Sequence, residues 1–102
     1  MSVAPALTSL AETAPDWRTR VHALWTLDGL NAVTTTTVAK GLADSSRDVR
    51  VAAMRVSERW LGEKDHPLQS RVVALAGDPD WAVRQQLAAL HHEVELAVLQ
   101  QE

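Results

Sequence analysis

The heptapeptide DSSRDVR at residues 44 to 50 returns at residues 78 to 84 as DPDWAVR, in both cases an Asp six positions before an Arg and ahead of an aliphatic, Ala-rich run. An interval of 34 residues is the length of one helical hairpin, and a chain stamped at that interval folds by stacking hairpins. Aligning on the Arg adds an earlier copy at Arg20. Arg20, Arg50 and Arg84 are each followed three positions on by Ala23, Ala53 or Leu87, and four on by Leu24, Met54 or Ala88. The spacings of 30 and 34 define three units, about 3–30, 34–61 and 67–100, in a chain of 102 residues that makes one domain.

Each unit reads as two helices joined by a tight turn. The first helices are expected over 3–13, 34–43 and 67–76, the second over 16–30, 47–61 and 80–100. The turns APD, DSS and GDPD carry residues that break one helix and supply cap oxygens to the next, and they are short enough to force an antiparallel hairpin. Apolar stripes at helical spacing mark the second helices: Val21, Leu24 and Leu27; Val49, Ala53, Val56 and Trp60; Val83, Leu87, Leu90 and Val94. Leu68, Val72 and Leu75 do the same for the third leading helix. Between units, DGLNAVT and LGEKDHP contain the Gly, Asn and Pro of helix stops. In TTTT, Thr34 or a neighbour is the expected N-cap of the second unit's first helix, with the other Thr residues on its surface.

Composition agrees with an all-α fold. Hydrophobic residues make up 46% and charged ones 23%, and Phe and Tyr are absent, which suits close-packed helices better than sheets. The absence of Cys excludes disulfides and thiolate chemistry. A formal charge of -3 argues against general affinity for nucleic-acid backbones. No apolar run reaches the roughly 20 residues that span a bilayer, and MSVAPALTSLAE lacks the pattern of a secretory signal.

With Asp44 and Val49-Arg50, and Asp78-Pro79 and Val83-Arg84, the chain resembles the HEAT-repeat family, whose helix pairs stack into a right-handed α-solenoid. The resemblance implies that these Asp and Arg side chains, with Arg20, form a hydrogen-bonded ladder between neighbouring repeats. The first unit departs from the pattern, with Ala14 at the ladder position and Asp16 two residues on, which fits a unit that caps the stack. The short period resembles the compact HEAT-like proteins of the bilin-lyase type. Residues 17 to 90 also resemble the HEAT segment of large bacterial sugar-dehydrogenase-like proteins that carry a cytochrome c domain. That likeness implies a segment of a longer, periplasmic parent whose redox chemistry lies elsewhere; a stand-alone chain would be cytoplasmic.

Trp17 and Trp81 open second helices three residues before the unit's Arg, where paired indoles beside Asp and Arg side chains could stack a base or a cation. Packing between repeats accounts for them more simply, and Trp25 and Trp60, inside helices, are expected in the core. HEAT-like DNA glycosylases use Trp, Asp and Arg in a groove, but they need more repeats and a basic stripe this chain lacks. His91 and Glu95, with His92 and Glu93 beside them, supply too few ligands for a zinc site, and His22 and His66 stand apart from any nucleophile. Glu12, Asp28, Glu58 and Glu63 read as scattered surface carboxylates. No cofactor or catalytic residue is expected.

The reading is a non-catalytic scaffold that binds a protein partner or neighbouring domains of its parent. Arg47, Arg55, Arg59, Gln85 and Gln86, with Trp17 and Trp81, form its expected concave surface. Three repeats leave apolar ends, which a homodimer or the parent's neighbouring domains would cover. A nucleic-acid binder would instead lose affinity with salt, and a bilin protein would retain pigment.

Overall fold

The computed structural model describes residues 3–63 and 65–90. Among them the chain is all-helical: α1 (Ala4–Thr13), α2 (Trp17–Gly29), α3 (Thr35–Leu42), α4 (Arg47–Leu61), α5 (Pro67–Val73), a 3-10 turn (Ala74–Gly77) and α6 (Trp81–Ala89). The third leading helix, expected to 76, thus leaves α-geometry after Val73. Val94 and the His91 to Glu95 cluster lie outside the described residues, as does the expected continuation of the last helix to 100.

The helix starts follow from cap chemistry. Asp16 and Asp80 accept from the amides of Arg18 and Ala82 at 2.9 and 2.8 Å, each satisfying a donor that the first turn leaves orphaned. Thr34 caps α3 through the Thr37 amide at 3.2 Å, and His66 caps α5 by accepting the Leu68 amide at Nδ1, at 3.1 Å. The end of α2 is closed by Asn31 in the left-handed region, φ 56°. Its amide donates to Asp28 O and that of Ala32 to Leu27 O, the paired bonds of a Schellman stop.

The leading helices α1, α3 and α5 adjoin in sequence, as do α2, α4 and α6, and α1 packs on α2 and α3 on α4. The Cα atoms span 43 × 29 × 16 Å. The shortest dimension is that of two helix layers, about 8–10 Å between axes plus about 4.6 Å of backbone cylinder. The core lies between the layers. Leu24, Leu27, Val38, Val49, Met54, Leu61, Leu68, Val72 and Val83 are almost fully buried, while Val21, Trp60 and Leu87 pack partly exposed at its margin.

Two expectations fail on burial. Trp25 is 38% exposed, because its face of α2 turns away from the interlayer core, and the Arg55 guanidinium lies 5.5 Å from the centre of its ring. Thr37, expected on the surface, is buried because its hydroxyl donates to Glu12 Oε2 at 2.7 Å, which removes the cost of desolvating it. Gly41 of α3 lies close against α4, where an added Cβ would lie 2.8 Å from that of Ala53.

Candidate functional site: the arginine rungs and their open end

Arg20, Arg50 and Arg84 donate their amides to the N-cap carbonyls of Asp16, Ser46 and Asp80, so each sits at the end of the first turn of α2, α4 or α6. Side chains there lean back toward the helix N-terminus. Each guanidinium consequently reaches the carbonyls of its own turn. Nη1 of Arg20 donates to Ala14 O at 2.6 Å, that of Arg50 to Asp44 O at 2.8 Å, and that of Arg84 to Asp78 O at 2.6 Å. Arg20 and Arg50 also reach Pro15 O and Ser45 O, at 3.3 and 3.1 Å.

The other edge of the guanidinium points to the next unit. Arg20 grips Asp44 with two parallel bonds, Nε to Oδ2 and Nη2 to Oδ1, both 3.0 Å. Arg50 meets Asp78 less regularly. Nη2 donates to Oδ1 at 3.2 Å, whereas Nε lies 2.9 Å from Oδ2 without an aligned N–H, so that contact is ionic and not a hydrogen bond. Each carboxylate is fixed by its own chain, Asp44 Oδ1 accepting the Ser46 amide at 2.9 Å and Asp78 Oδ1 the Asp80 amide at 2.8 Å. A cation near a helix N-terminus opposes the helix dipole, and the shared carboxylate and turn carbonyls offset that repulsion.

Arg84 has the anchor of the other two and no carboxylate. Among the described residues its Nε and Nη2 have no partner, and the side chain is exposed. At the opposite end, Ala14 stands where Asp44 and Asp78 stand in their units. Asp16 is not a displaced ladder residue. It occupies the N-cap register of Ser46 and Asp80.

The expected surface residues divide. Arg47 lies 3.5 Å from Asp80 Oδ2, reaching from α4 to the cap of α6. Arg59 donates to Asn31 Oδ1 at 2.5 Å and to the Asp28 carboxylate, closing the C-terminal end of α2. Arg55 covers Trp25. These three cations therefore bridge adjacent units. Trp17 packs half-buried against the core with the Arg18 guanidinium 4.6 Å from its ring centre, whereas Trp81, in the same register, is 66% exposed. Gln85 is exposed on α6 and Gln86 partly so.

Sequence reasoning missed a second polar bridge. Glu12 on α1 accepts from Thr37 Oγ1 and from Lys40 Nζ on α3, both at 2.7 Å. The Lys40 bond, with the Thr37 bond second, holds its carboxyl below the usual glutamate range. Glu12 and Thr37 are 25 residues apart, and no local pattern links them. Nor is His66 isolated, since it caps α5 and stacks on Trp60, centroids 6.2 Å apart. Among the described residues no three His, Asp or Glu side chains are grouped to hold a metal, and no helix is long and apolar enough to cross a membrane. No protein-family model, curated protein or solved structure matches this chain.

Proposed function

We propose that the chain is a right-handed solenoid of three HEAT-like helix pairs that serves as a non-catalytic module for binding a protein partner or a neighbouring domain. One observation carries this reading. The same Arg contact recurs in register in all three units, is completed by a carboxylate in two, and is left incomplete in the third beside an exposed Trp81. Trp and Arg dominate the energetics of protein interfaces, and here the two lie three residues apart on one helical face.

The arginine geometry weighs against the nucleic-acid alternative. Arg20, Arg50 and Arg59 each lie against an Asp with their charge turned into the fold and away from a phosphate backbone, and the more exposed Arg47 is paired with Asp80. Asp16, Asp28, Asp44, Asp78, Asp80 and His66 have structural partners too, as Glu12 does in Thr37 and Lys40.

The test is photo-crosslinking in the source cells from two positions, Ala88 on the exposed side of α6 and Thr36 on α3. The expected result is a discrete protein adduct at Ala88 and none at Thr36. An absence of adducts at both positions would contradict the reading, and a nuclease-sensitive adduct would move the function to nucleic acid.

A further inference from the structure

We infer that the exposed face of α6 is a receptor for a partner protein's carboxylate, held on a helical turn as Asp44 and Asp78 are, with Arg84 as its fork and Trp81 as its apolar anchor. The inference rests on the interaction-module reading and specifies its partner. The chain itself twice displays the ligand that this guanidinium fits. Arg20 and Arg50, anchored through Nη1 to their own turn, present the remaining edge to an Asp whose Oδ1 is pinned by the amide two residues on. Arg84 has the same anchor, Nη1 to Asp78 O, so its free edge is already oriented and little side-chain entropy is lost when a carboxylate arrives.

A second natural copy stacked head to tail does not supply the ligand. In a head-to-tail arrangement the position facing Arg84 would be Ala14, which has no carboxylate to offer. The register of Trp81 supplies the rest of the footprint. In the second unit the equivalent residue, Arg47, reaches forward to the N-cap Asp80 of the next unit. In the first it is Trp17, packed half-buried against the core. Trp81, 66% exposed, is therefore placed to cover the turn that brings the carboxylate. The partner is a protein with an Asp or Glu at the N-terminal turn of an antiparallel helix pair.

The experiment uses the full chain as both receptor and probe. Ala14→Asp combined with Arg84→Ala gives a probe that offers the missing carboxylate, which the Asp16 amide can pin, and that cannot receive one. Titrated into the wild-type chain by analytical ultracentrifugation, it is expected to form a one-to-one complex, while each component alone stays monomeric. An Arg84→Ala receptor should bind the probe about thirtyfold more weakly or worse, the usual cost of truncating one partner of a charge-assisted pair at an interface. No complex between wild type and a folded probe would overturn the inference. So would a complex indifferent to Arg84→Ala. So would binding that appears only after residues 91–102 are deleted, which would make the chain's own tail the occupant.

Should the probe fail to fold, Nε–H exchange in the wild-type chain decides. Fast exchange at Arg84 beside slow exchange at Arg20 supports an open fork, and equal protection contradicts it. A protein adduct at Ala88 without probe binding would remove this inference and leave the interaction-module reading standing. Absence of that adduct with probe binding intact would overturn the interaction-module reading and this inference's partner with it, leaving only the carboxylate affinity of Arg84.

Discussion

The junction between the first and second units and that between the second and third are built from the same Arg–Asp rung, yet they are not equally tied. At the first, bonds span the whole interface: the Arg20 fork on Asp44 at one end, Arg59 on Asp28 and Asn31 at the other, and Glu12 on Thr37 and Lys40 across the leading helices. At the second, the described ionic bridges, Arg50 to Asp78 and Arg47 to Asp80, gather at one end. The packing differs in the same sense. Ala11 with Ala23 and Gly41 with Ala53 put small residues at matching positions of the first two units, where the third has Leu75 and Leu87 and its leading helix tightens into a 3-10 turn. A repeated motif thus fixes where units join, and unrepeated residues decide how firmly.

The largest effect that sharpens this contrast is expected from Arg20→Ala, about 3 kcal/mol of destabilisation, since it strips a largely buried Asp44 of its partner and leaves turn carbonyls unpaired. Arg50→Ala should cost less, about 2 kcal/mol, because its rung is already imperfect. Urea midpoints of the two variants check the order, and a larger loss for Arg50→Ala would break the comparison. Next comes Gly41→Ala, expected to cost about 1–2 kcal/mol. The new methyl meets Ala53 Cβ at 2.8 Å, and overpacking outweighs the gain of up to about 1 kcal/mol in helix propensity. Adding Ala53→Gly should restore much of the packing. If Gly41→Ala raises the thermal midpoint, the close approach is absent.

Asn31→Ala should cost about 1 kcal/mol, combining a left-handed backbone at φ 56° with loss of the acceptor for Arg59. Asn31→Gly keeps the backbone freedom and should cost less, so equal losses for the two would assign the effect to the side chain alone. The smallest effect concerns acid. Because the folded-state carboxyl of Glu12 is depressed, its stabilisation is complete above the usual glutamate value and disappears as pH falls through the lower folded-state value. Glu12→Gln should lower stability at neutral pH and reduce the loss that wild type suffers on going to about pH 3. An unchanged slope of stability against pH would remove Glu12 from the account.

Much of the frame was legible in the sequence because it is local and periodic. The apolar stripes place Leu24, Leu27, Val49, Ala53, Val56, Leu68 and Val72 in the core, and turn residues mark the helix starts within a residue or two. What was not legible depends on distance or direction. Asp16 looked like a misplaced ladder residue because spacing alone cannot separate an N-cap from the position two before it. Arg47, Arg55 and Arg59 read as a free surface because their partners Asp80, Trp25 and Asp28 come from neighbouring helices. Trp25 shows that an indole within a helix need not face the core when a guanidinium lies over it.

Each Arg–Asp rung couples neighbouring units energetically, and double-mutant cycles measure that coupling. Stabilities of Arg20→Ala, Asp44→Ala and the pair, set beside those of Arg50→Ala, Asp78→Ala and their pair, isolate the two couplings. Couplings of about 1–3 kcal/mol are expected, with that of Arg20 and Asp44 the larger. Couplings within about 0.3 kcal/mol of zero at both rungs, the level of simple additivity, would contradict it.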